Sequence, residues 1–78
     1  MPTVLRSGPY RFFFYASDCD EPHHIHVERD DMVAKFWLDP VRLQNSGGFK
    51  RLELRQIRGL IDKNYEQLME AWNGYFGD

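Results

Sequence analysis

The chain has 78 residues, twelve acidic against ten Lys and Arg, for a formal net charge of −2. That length fits one domain, residues 1–78, and the acidic balance argues against broad nucleic-acid affinity. A single cysteine, Cys19, excludes an internal disulfide framework, and no apolar run approaches the ~18–20 residues of a membrane span.

Residues 1–6 lack the basic start and long apolar stretch of a signal peptide, so the cytoplasm is the expected location. Residues 3–6 and 10–15 flank Ser7-Gly8. Glycine supplies the positive φ of a tight turn, so these two segments are expected to pair as a hairpin. Pro9 has no backbone donor and belongs at a strand start or on an unpaired edge. The run Tyr10-Arg11-Phe12-Phe13-Phe14-Tyr15 carries large side chains on both faces, as a strand covered on both sides does. One face takes the helix. The other calls for more chain or a partner, and an apolar patch left open there by Phe12, Phe13 and Phe14 would favour a homodimer or a heteromeric contact.

An acidic loop over residues 16–22 leads into a second hairpin, residues 23–29 and 32–38, about the turn Asp30-Asp31. That turn sets Arg29 opposite Met32, Val27 opposite Ala34, His26 opposite Lys35, Ile25 opposite Phe36 and His24 opposite Trp37. Ile25, Val27, Ala34 and Phe36 then share the core face, and His24, His26, Glu28, Lys35 and Trp37 share the other. A slip of one residue would mix the two sets. Asp39-Pro40 ends the strand, residues 41–43 read as a short edge strand, and Asn45-Ser46-Gly47-Gly48 reads as a turn.

From about Arg51 the period changes. Leu54, Ile57, Ile61, Tyr65, Leu68, Trp72 and Tyr75 recur at three- and four-residue steps along one apolar stripe. The phase survives Asn64, which fits one long helix. Asn64 with Gln67 three residues later also resembles a helix cap, which fits two consecutive helices. Strands first and helix after give an α+β domain: an antiparallel sheet of about four strands, built from two hairpins, with the C-terminal helix or helices packed on one face.

Charge is segregated along the chain. Residues 16–31 hold six acids, one arginine and all three histidines, whereas residues 50–63 hold five basic residues and two acids. Arg51, Arg55 and Arg58 fall on one helical stripe beside the apolar face. Cations at a helix start oppose the macrodipole, and a local rule broken without compensation marks a working surface. The competing reading is a solvated face partly balanced by Asp62, four residues after Arg58. As a surface, Arg51, Arg55 and Arg58, together with Trp37, are candidates for binding nucleic acid or an acidic partner.

The stretch Pro22-His23-His24-Ile25-His26-Val27 carries the most chemistry. Alternation puts His24 and His26 on one side of a strand, about 7 Å apart along the backbone. Two such imidazoles suit one metal ion or one phosphate. As a metal-independent nuclease, His24 would be general base, His26 general acid, and Lys35 would stabilise the charge that develops on phosphorus. As a transition-metal site, His24 and His26 would be joined by Glu28, with Asp18, Cys19, Asp20 and Glu21 in the preceding loop as further donors. The spacing matches no established zinc signature, and no other cofactor is expected. As plain structure, the two histidines are polar-face residues packed against Trp37.

Four motifs in order resemble one small prokaryotic family, domain of unknown function 4160. They are Arg11-Phe12-Phe13-Phe14-Tyr15, Pro22-His23-His24-Ile25-His26-Val27, Ala34-Lys35-Phe36-Trp37-Leu38 and Trp72-Asn73-Gly74-Tyr75-Phe76. The family's hallmark is a Pro-Pro-His-hydrophobic-His-Val run. His24, Ile25, His26 and Val27 fit it, and His23 stands in place of the second proline. The resemblance implies a small cytoplasmic protein, encoded beside a second small family (domain of unknown function 2442) in an arrangement like a toxin–antitoxin pair. It favours a small protein partner encoded nearby and supplies no reaction. The leading expectation is therefore an interaction module that binds this partner, with RNA or DNA and a second copy of the chain as further partners and no membrane. The nuclease and the metal protein are the alternatives.

Overall fold

The computed structural model describes residues 3–77. Five strands form one antiparallel meander in which each strand pairs with the next: β1 (Thr3–Ser7), β2 (Tyr10–Phe13), β3 (His24–Arg29), β4 (Met32–Leu38) and β5 (Val41–Asn45). Two helices follow, α1 (Arg51–Lys63) and α2 (Tyr65–Phe76). The architecture is α+β as expected. The fifth strand is the short edge segment after Asp39-Pro40, two residues longer than the spacing suggested.

The β3–β4 pairing has the register read from the alternation, with His24 opposite Trp37, His26 opposite Lys35 and Arg29 opposite Met32. Asp30 takes a positive φ of 56° in the turn, which a short polar residue tolerates. On the core face Phe12, Ile25, Val27, Ala34, Phe36 and Leu38 pack against Ile57 and Ile61 of α1 and Leu68 and Trp72 of α2. Each such side chain, fully buried, stabilises the fold by about 1.5–3 kcal/mol relative to exposure.

The strand predicted over residues 10–15 stops at Phe13. Phe14 leaves the sheet for an aromatic cluster at the end of α2, with ring centroids 5.4 Å from Trp72 and 5.2 Å from Phe76. Phe13 points to the opposite face from Phe12 and is covered within the chain. The Arg11 guanidinium lies 4.1 Å above its ring, Tyr15 meets it edge-on and His26 stacks on it. Phe12, Phe13 and Phe14 are all buried, so these three residues leave no open apolar patch.

The helical stripe is split into two helices at Asn64. Asn64 stands at the N-cap position of α2, as the cap reading required, but makes no side-chain capping bond there: its side-chain amide donates back to the Leu60 carbonyl at 2.8 Å and finishes α1. Gln67 reaches away from the helix start, toward the Val4 carbonyl.

Helix α1 is tied to the sheet by Glu53. Its carboxylate accepts from the Tyr10 hydroxyl at 2.7 Å and from the Arg29 guanidinium through Nε at 2.6 Å and Nη2 at 3.0 Å. The Arg29 and Tyr10 bonds hold Glu53 below the usual carboxylate range. Burial, and then the carboxylate itself, push the Tyr10 hydroxyl up.

Candidate functional site at the histidine strand

The second face of the sheet is roofed by the segment that links β2 to β3. Tyr15 lies over Phe13 and His26, and a short 3-10 helix, Ala16–Asp20, carries Asp18 inward. The Tyr15 amide donates to Asp18 Oδ2 at 2.8 Å and positions the carboxylate.

Three donors meet beneath this roof. His24 Nε2 lies 2.9 Å from Asp18 Oδ2, and His26 Nε2 lies 3.3 Å from the same oxygen. One ligand atom from each of Asp18, His24 and His26 lies within 4.8 Å of the other two. The His24 and His26 rings stand edge to face with centroids 5.1 Å apart. His24 has no exposed surface, being enclosed by Trp72 at 4.9 Å and Trp37 at 5.8 Å.

The His24 ring is oriented from behind. Its Nδ1 lies 2.8 Å from the Pro22 carbonyl, which can only accept, so the proton is on Nδ1. Its Nε2 is buried and makes no directed hydrogen bond: the Asp18 contact is short but out of line with a ring N–H. Burial pushes the His26 imidazole down despite the opposing effect of Asp18. For Asp18, burial works upward, but the Tyr15 amide and the two imidazoles outweigh it and hold the carboxyl below its ordinary range.

The other candidates fall in different places. Glu28 shares the histidine face, as alternation requires, but its carboxylate is held by Arg11 at 2.8 Å. Asp18, from the loop, lies where Glu28 was expected as a metal ligand. Lys35 bonds to Glu21 and lies 4.8 Å from the Trp37 ring centroid. The Lys35 bond lowers the Glu21 carboxyl. Of the groups in the nuclease reading, His24, the base, is enclosed, and Lys35, the charge stabiliser, is engaged by Glu21. His23 lies outside the triad: its Nε2 donates to Asn73 Oδ1 at 2.7 Å, and its ring packs on Trp72. Cys19 is exposed, with Sγ 3.8 Å from Asp20 Oδ1.

Arg51, Arg55 and Arg58 are all exposed on α1, over the opposite face of the sheet. Trp37 is therefore not part of their surface. Among the described residues, none of the five cations of residues 50–63 lies within 4.0 Å of a carboxylate, Asp62 included. Of the sheet's cations, Arg11, Arg29 and Lys35 are paired, whereas Arg6 and Arg42 make no such contact among the described residues.

The family model for domain of unknown function DUF4160 matches residues 10–73. The chain is a DUF4160 protein. The match takes in β2 to β5 and nearly all of both helices, so the triad and the arginine stripe lie within the DUF4160 unit. No curated protein and no solved structure matches the chain. Among the described residues no helix is long and apolar enough to cross a membrane.

Proposed function

We propose that this DUF4160 protein is an interaction module of a toxin–antitoxin-like pair that docks a small acidic protein partner on the exposed face of α1. The observation that carries the reading is the charge left unspent there. Glu53, two positions after Arg51, is turned inward to Arg29 and Tyr10, and among the described residues Asp62 makes no ion pair. Among the described residues, the stripe of Arg51, Arg55 and Arg58 thus has no counter-charge within 4.0 Å. Guanidiniums on a rigid helix suit carboxylates, with fork geometry that lysines lack.

The test is co-purification of the chain with the product of the neighbouring gene, followed by titration at low and high salt. Substituting Arg51, Arg55 and Arg58 together by Ala should leave the circular dichroism spectrum unchanged. It should weaken the complex by roughly three- to a hundredfold at low salt, since each exposed pair contributes about 0.2–1 kcal/mol. Unchanged affinity of the triple variant would reject the surface. Tight binding of RNA or DNA in place of the protein would transfer the stripe to phosphate recognition.

A further inference from the structure

The convergence beneath the roof asks for an explanation that the docking surface does not supply. The loop between β2 and β3 is polar and acidic, and its 3-10 helix buries no residue. It nonetheless sends Asp18 inward against two imidazoles on β3.

With its Nδ1 bonded to the Pro22 carbonyl, His24 leaves Nε2 2.9 Å from the Asp18 carboxylate without a directed hydrogen bond, in a place with no exposed surface. A buried polar atom without a partner is rare in a folded protein, and one reason for it is an ion that belongs there. A cation held by all three donors would give His24 Nε2 the partner it lacks, and His26 Nε2, which donates to the same Asp18 oxygen at 3.3 Å, would release that proton to bind it.

The distances fit. Two donors bound to one zinc ion at about 2.1 Å in tetrahedral array stand about 3.4 Å apart. The two donor separations measured to Asp18 are 2.9 and 3.3 Å, and none in the set exceeds 4.8 Å. The Nδ1 contact with the Pro22 carbonyl is the outer bond that a metal-ligating histidine usually makes, fixing tautomer and ring orientation. Lys35, the cation that would oppose an ion nearby, is bonded to Glu21.

We propose that the Asp18 carboxylate, His24 Nε2 and His26 Nε2 bind one divalent transition-metal ion, of which zinc is the representative, and that the ion fastens the β2–β3 loop to the sheet. Two imidazoles among three donors select this class over magnesium or calcium, which take mainly oxygen. Three protein ligands leave one position for water. Nothing in this assignment depends on the docking surface of α1.

The experiment uses the full chain, stripped with chelator and titrated with zinc and separately with cobalt(II). One ion per chain should bind saturably. Cobalt should give visible ligand-field bands without a thiolate charge-transfer band. In uniformly labelled protein, zinc should shift the imidazole nitrogens of His24 and His26 and leave those of His23 in place. Asp18→Asn and His26→Gln should each weaken zinc on the order of tenfold or more, whereas Cys19→Ser and Glu28→Gln should bind as wild type does. Three results would overturn the site: no saturable uptake by the folded chain, loss of binding in Cys19→Ser, or nitrogen shifts at His23 in place of His24 and His26. The nitrogen shifts need no variant, so they decide the matter even if a substituted chain fails to fold.

Discussion

A single carboxylate can hold a helix to a sheet, and Glu53 does so here. It sits in the first turn of α1, where the helix dipole favours an anion, and it receives one bond from β2 and two from β3. Its folded-state pKa is depressed, so its contribution is present above the unfolded value of about 4.3 and is lost as pH falls through the lower folded value. Glu53→Gln should therefore be less stable than wild type at about pH 7, with the gap narrowing at about pH 3. Urea unfolding at the two pH values measures this, and an equal gap at both would remove the charge from the account. The partners of this residue were not legible in the sequence, because Tyr10 and Arg29 lie 43 and 24 positions away. Asp18 was named only as one of several loop donors, and its selection over Cys19, Asp20 and Glu21 was not legible for the same reason. Period-2 alternation named His24, His26 and Glu28 as neighbours on one face, but it cannot say which loop folds over that face. Nor can it say that Arg11, facing Glu28 across β2 and β3, takes that carboxylate.

At the scale of elements, the hairpin β3–β4 was readable to the residue because both its strands carry one buried and one polar face, and only one register keeps these apart. Helix continuity was not readable, since the apolar phase runs unbroken through Asn64 and the break rests on a side-chain bond to Leu60. The passage from sheet to helix is enforced by Gly47. It holds φ at 62°, and a Cβ there would stand 2.0 Å from the Val33 carbonyl oxygen on β4. Gly8, in the first hairpin turn, has a similar φ of 58° but open space around it. Gly8→Ala should therefore cost only the left-handed backbone preference, about 1–2 kcal/mol. Gly47→Ala should cost clearly more, because β4 or the turn must shift as well. Urea midpoints of the two variants compare them directly. Equal losses would mean that the turn gives way freely and that the close approach to Val33 is unimportant.

For the whole molecule, Trp72 joins structure to site. Its ring packs in the main core and on Phe14, and it also meets His23 at 5.3 Å and His24 at 4.9 Å. Helix α2 thereby closes the side of the histidine pocket that the β2–β3 loop leaves open, and core and triad depend on the same indole. A chain of this length has a stability of roughly 4–12 kcal/mol in total. Removing a buried aromatic costs about 3–5 kcal/mol, a large share of that sum. Trp72→Ala should thus lower the urea midpoint steeply, by about 3–5 kcal/mol of stability, and unfold the chain outright if its total stability lies at the low end of its range. Trp72→Phe, which keeps most of the ring contacts, should remain folded with a lower midpoint. Far-UV circular dichroism across a urea series separates the two. A Trp72→Ala chain that unfolds near the wild-type midpoint would show that the sheet and α1 stand without this bridge. His24 would then owe its enclosure to Trp37 and the loop alone.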